Sequence, residues 1–146
     1  MNAITSRLGH QLSLVDLDGT RRPPPPPLVL VAHGSRDPRA LGTVSTLVER
    51  VRELRPHLSV RLGHLELDEP LLPATLASID TARDPRAVLV PLLLGRGHHV
   101  KRDVPDAAAA VPGLRARVAA PLGPHPLLVE TLYARLVEVE LAHPDE

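Results

Sequence analysis

Cysteine is absent from all 146 residues. Disulfides, thiolate metal ligands and a cysteine nucleophile are therefore excluded. The absence also fits a reducing, cytoplasmic setting. Aromatic rings are almost missing, with one Tyr and no Phe or Trp, so neither a base-stacking platform nor a flavin held between rings is expected. Neither sign of charge dominates: Lys+Arg and Asp+Glu are both 17. A balanced chain offers no global field for nucleic acid or an anionic membrane, and neither is expected as a partner. No window approaches about 18 continuous apolar residues, so no membrane-spanning helix is expected. Nor is a signal peptide, because Gln11, Asp16 and Asp18 interrupt the leader after Arg7.

Apolar residues are plentiful instead, at 43% of the chain. They supply a core of Leu, Val and Ala, and the length fits one domain. Proline reaches 17, and five of them stand together at 23–27. Such a run lacks backbone donors and favours polyproline II. Residues 1–27 thus read as a disordered leader ending in a stiff proline-rich spacer, and residues 28–142 as the ordered domain.

Within that domain the pattern alternates. Leu28-Val-Leu-Val-Ala32 is a short unbroken apolar run, as in a strand buried on both faces. Asp37 before Pro38 is a good helix N-cap, and Leu41, Val44, Leu47, Val48, Val51 and Leu54 recur at helical spacing. Alternation over 58–67 predicts a second strand, and 71–82 a second helix. The run 87–94 is a third strand, followed by a Gly95–Gly97 turn and a short helix over 103–110. A fourth strand over 115–120 and a last helix over 126–142 complete the order. Strand and helix alternating four times predict an α/β fold: a four-stranded parallel sheet with helices on both faces.

Ligands of open parallel sheets bind beyond the carboxyl ends of the strands. His33, Gly34, Ser35 and Arg36 follow the first strand. His64 and Glu66 lie near the end of the second, on one face if the strand runs that far. Arg96, His98, His99, Lys101 and Arg102 follow the third, and His125 the fourth. Five of the eight histidines thus gather at one edge. Imidazoles from separate loops with a carboxylate and no thiol suit a borderline divalent ion, or equally acid–base work. Taken singly the residues have plainer explanations. His64 sits inside a strand, Glu66 could be a helix-entry carboxylate, Ser35 lacks a nucleophile-elbow motif and suits capping, and the cations could be solvated surface.

The pieces Leu28-Val-Leu-Val-Ala-His-Gly-Ser-Arg-Asp-Pro38, Leu65-Glu66 with Pro70, Val90-Pro-Leu-Leu-Leu94, Gly97-His-His-Val-Lys-Arg-Asp-Val-Pro105 and Pro121-Leu-Gly-Pro-His-Pro-Leu127 together resemble the short CbiX-type sirohydrochlorin chelatases, of the class II chelatase family. They occur in family order over residues 28 to about 140. The resemblance implies insertion of a divalent ion (cobalt, iron or nickel) into sirohydrochlorin, for cobalamin or siroheme, with the ion as substrate and no organic cofactor. It places the catalytic, metal-handling histidines at His33 and His99, with Glu66 assisting. His98 stands where the family usually has tyrosine. The resemblance also implies a homodimer, because long members carry two such lobes and this chain holds one. The substrate bears eight carboxylates, which Arg36, Arg96, Lys101 and Arg102 could pair with; Ser35, His98 and His125 complete the expected substrate contacts.

Two other readings compete. A non-catalytic metal or tetrapyrrole carrier would bind without accelerating insertion. A phosphohistidine-type phosphatase also places His-Gly after a first strand, but with Arg before the histidine, where this chain has Ala32.

Overall fold

The computed structural model describes residues 23–95, 97 and 99–142, and only the backbone of 99, 100, 141 and 142. The order is β1 (Leu28–Ala32), α1 (Pro38–Leu54), β2 (Val60–His64), α2 (Leu72–Ala77), β3 (Arg86–Pro91), a π-helical turn (His99–Asp103), α3 (Val104–Ala109), β4 (Arg115–Val118) and α4 (Pro126–Ala142). The four strands form one all-parallel sheet in the order β2-β1-β3-β4.

Alternation along β1 divides the core into two layers. Leu30 faces α1 and packs with Val48 and Val60. Val29 and Val31 face the other side, against Leu72 and Leu76 of α2, Leu89 of β3 and Val104 and Ala108 of α3. Helices therefore cover both faces, as the alternating pattern implies. Asp37 caps α1 as expected: its Oδ1 accepts from the Arg39 amide at 2.9 Å, and Pro38 takes the first turn. The Arg39 side chain and amide hold the Asp37 carboxyl below its ordinary range.

Several bounds differ from the sequence pattern. The second strand stops at His64 rather than Leu67. Leu65 and Glu66 still donate to the carbonyls of Ala32 and His33, at 2.9 and 3.1 Å, before Leu67 turns the chain at φ 68°. The second helix is only six residues long. The third strand stops at Pro91, and 99–103 forms a helical turn ahead of α3.

The leader up to residue 22 lies outside the described residues. The proline run is seen against the body: the Pro27 carbonyl accepts from the Val88 amide at 2.9 Å, and that of Pro24 from Arg86 Nη2 at 2.9 Å. No helix among the described residues is long and apolar enough to cross a membrane.

Candidate metal-handling site

Parallel pairing brings the ends of β1 and β2 to one edge, with Ala32 opposite His64. The chain after β1 then crosses the chain after β2. Gly34 makes the crossing possible, with φ +97° and a backbone so close to Glu66 that an added Cβ would lie 1.7 Å from the Glu66 carbonyl oxygen. Only glycine supplies both the positive φ and the missing atom.

That crossing places His33 beside Glu66. The imidazole Nδ1 is 3.6 Å from Glu66 Oε1 and 3.3 Å from the Gly34 carbonyl oxygen. Both neighbours are acceptors, which suits the neutral tautomer with its proton on Nδ1. A carboxylate beside one imidazole nitrogen helps to orient the ring. The side chains are 44% and 53% exposed, so the pair adds little to stability. Its effect is on orientation.

Ser35 tightens the same crossing. Its amide donates to Asp68 Oδ2 at 2.9 Å, and its hydroxyl oxygen accepts from the Asp37 amide at 3.1 Å. The hydroxyl thus serves the turn, as the capping reading of Ser35 has it. Asp68 was not legible as a site residue. Its signal is its place two residues past Glu66, on the turn that Leu67 opens.

His64 is 1% exposed. Its Nδ1 lies 3.1 Å from the Pro70 carbonyl oxygen, and its Nε2 is buried without a hydrogen-bond partner among the described residues. His33, Ser35, His64 and Asp68 line one cavity of about 210 Å³, roofed by Leu41 and Val44 of α1.

His99 begins the π-helical turn, with its side chain outside the described residues. Arg96 and His98 lie outside them altogether. Lys101 and Arg102 are exposed on that turn, and Arg36 is exposed on the loop after β1. His125 is not brought into the His33 cavity. Its Nδ1 accepts from the Leu127 amide at 3.2 Å at the start of α4, and it borders a separate apolar cavity of about 490 Å³ with Leu94, Leu128 and Leu132. Among the described residues no three His, Asp or Glu side chains converge to hold an ion directly.

A parallel α/β sheet thus carries an imidazole–carboxylate pair on the crossing of its first two carboxyl-end loops, where ligands of such sheets bind. The comparisons identify the family. The CbiX family model matches residues 27–139, so the chain belongs to the CbiX family. A relative named sirohydrochlorin cobaltochelatase, from Methanococcus aeolicus, is 35% identical over 79 residues, 54% of this chain and 55% of its own length. The matches to this relative and to three similarly named ones span about half the length of each. A solved structure described as a cobalamin (vitamin B12) biosynthesis CbiX protein, from Marinobacter aquaeolei VT8, superposes with a TM-score of 0.67 at 30% identity. It covers 81% of this chain and 98% of that one. The sirohydrochlorin chelatase SirB from Bacillus subtilis subspecies spizizenii, solved in complex with cobalt, superposes with a TM-score of 0.69 at 26% identity, over 77% of this chain and 50% of that one.

Proposed function

We propose that this chain is a chelatase that inserts a divalent ion, cobalt, iron or nickel, into sirohydrochlorin. The observation that carries the reading is the His33–Glu66 pair at the crossing of the β1 and β2 loops, in a chain of the CbiX family. Insertion removes two pyrrole N–H protons and needs an ion partly stripped of water. His33 Nε2, backed by Glu66 behind Nδ1, accepts a proton or holds the ion loosely. His99, on the segment after β3, is its partner on this reading. An open site suits this task, because a closed four-ligand cage would retain the metal. Ser35 supports the loop, and Arg36, Arg96, Lys101 and Arg102, with His98 and His125, are the residues this reading assigns to the carboxylate-rich macrocycle. The deciding experiment is anaerobic insertion into sirohydrochlorin, followed by absorbance, with cobalt, iron and nickel run side by side. Ion binding without accelerated insertion would reduce the chain to a carrier.

The cations of the third loop give a separable test. Neutralising Arg96, Lys101 and Arg102 should raise KM more than it lowers kcat, and added salt should mimic the change. An unchanged KM in the triple variant would return them to ordinary surface charge.

The chain acts as a homodimer in the cytoplasm. Val129, Leu132, Leu136 and Val139 of α4 recur at helical spacing, and each is more than half exposed. An apolar stripe left open on this scale is a surface that a second copy would cover. The SirB chain that superposes is matched over half its length, which leaves room in it for a second lobe. Light scattering should give twice the chain mass; a fully active monomer at assay concentration would overturn the assembly. The leader is dispensable on this reading. Deleting residues 1–22, which spares the Pro24 and Pro27 contacts, should leave melting temperature and insertion rate unchanged, as melts and kinetics on the truncated chain would check.

A further inference from the structure

The helices cover the two faces of the sheet unequally. On one face α2 lies against β2 and α3 against β4. On the other face α1 lies over β2. Paired residues of a parallel sheet point to the same side, so the register fixes what this face presents beyond α1. Val88 stands between Leu28 and Arg117, and Val90 stands beside Leu30. Leu28 and Leu30 belong to the α1 layer. Val88 and Val90 are half-buried, Val88 belongs to neither core layer, and Arg115 and Arg117 are exposed. Among the described residues, no helix packs on the β3–β4 half of the α1 face.

Helix α4 is left over. None of its positions 126–140 is buried, and only Leu128 and Val137 are half-buried. It places no residue in either core layer and makes no extensive contact with another element among the described residues. At about 100° per residue, the apolar positions from Leu128 through Leu132, Leu136 and Val129 to Tyr133 and Val137 span about half its circumference. So wide an arc suits a helix that covers a core. Most helices owe their stability to such packing, and α4 finds none on its own body.

The connection explains why. After β4 the chain runs on beside the chain after β3, with the amides of Ala119, Leu122 and Gly123 donating to the carbonyls of Leu89, Leu93 and Leu94 at 2.8, 2.9 and 3.0 Å. At Gly123 an added Cβ would lie 2.6 Å from the Leu94 carbonyl oxygen. This pinned link starts α4 at the carboxyl edge of the sheet, and the helix does not return over β3 and β4. The charges complement one another. Glu130 borders the apolar arc and Glu140 lies within it, both exposed, whereas the uncovered half-face carries Arg115 and Arg117. Complementary charges around an apolar contact select partner and register.

We propose that two copies of this chain exchange α4, each laying the helix over the β3–β4 half of the α1 face of the other. Val88 and Val90 lie beneath the apolar arc, and Arg115 and Arg117 lie beside Glu130 and Glu140. Exchanging an identical element needs only the surface that a closed monomer would use. The exchange rests on the homodimer reading above and names the contact that makes the dimer.

The chain has no cysteine, so Arg117→Cys takes a benzophenone maleimide at one position, on the uncovered half-face. The labelled full-length protein, shown by light scattering to keep twice the chain mass, is irradiated. It should give a covalent dimer on a denaturing gel, with the captured residue mapping to α4 by peptide mass spectrometry. Arg115→Cys, on the same face, repeats the measurement if the first label disturbs assembly. Leu132→Asp should raise the dimer dissociation constant about tenfold or more, the cost of one buried leucine. Capture of α4 within a single chain overturns the exchange, as does a label that captures no residue of α4 or an unchanged constant in the Leu132→Asp protein. Each of these leaves the homodimer standing, whereas a native chain of monomer mass removes both.

Discussion

His33→Ala and His99→Ala should each lower kcat for insertion by roughly a hundredfold or more, the usual size of a general acid–base contribution. The double variant should be little worse than either single one, because groups that act in one step are far from additive. The expected symmetry has different grounds for the two residues. For His33 the basis is geometric: the ring sits on a loop pinned by Gly34, with its Nδ1 beside the Glu66 carboxylate. Glu66→Gln keeps the shape but removes the charge behind Nδ1, so it should give a smaller loss than His33→Ala. For His99 the basis is family register, since Val100, Asp103 and Pro105 follow at family spacing. An extended segment would send His98 and His99 to opposite faces. His99–Asp103 is a helical turn instead, so family register alone distinguishes the two rings. His98→Ala should cost much less than His99→Ala, and His98→Tyr should be nearly neutral. Insertion kinetics at matched metal concentration check all of these. An active His99→Ala beside a dead His98→Ala would shift the site by one residue.

The parts of the fold that were legible in the sequence are those set by simple periodicity. β1 is a run with no polar residue, α1 has a cap and a proline at its start, and both occur with nearly the bounds that pattern gives. The missed bounds fall where tertiary contacts override pattern. Leu65 and Glu66 continue the hydrogen bonding of β2, but Leu67 takes a positive φ and swings the chain toward Ser35. Alternating hydrophobicity has no means of marking that turn. The same holds for the site. His33 could be named from sequence because it follows a strand, and Glu66 because it lies near the carboxyl end of the next. Asp68 could not, since its partner is a backbone amide 33 residues away. His64 was read as a strand residue, which it is; the orientation of its buried ring depends on where the Pro70 carbonyl lies, and that is a matter of loop path.

Gly34→Ala should be the most damaging single methyl in the chain. At φ +97° an alanine is strained whatever its surroundings, which costs about 1–3 kcal/mol. Here its Cβ would also fall 1.7 Å from the Glu66 carbonyl oxygen and 2.8 Å from the carbonyl carbon. Those are backbone atoms and cannot rotate aside. The β2 loop would have to retreat, adding an overpacking cost of roughly 1–3 kcal/mol. The retreat would carry Glu66 away from His33 and disturb the Ser35–Asp68 bond. A displacement near 1 Å at reacting groups costs about a hundredfold in rate. The variant should therefore lose several kcal/mol in chemical denaturation and at least two orders of magnitude in kcat, with the second loss persisting in whatever fraction stays folded. Gly42→Ala is the control. Gly42 lies inside α1, an added Cβ there meets nothing within 4 Å, and the change should raise stability by about 0.5–1 kcal/mol without touching turnover. A Gly34→Ala protein as stable and active as the Gly42→Ala control would mean that the two loops do not cross as closely as the 1.7 Å contact requires.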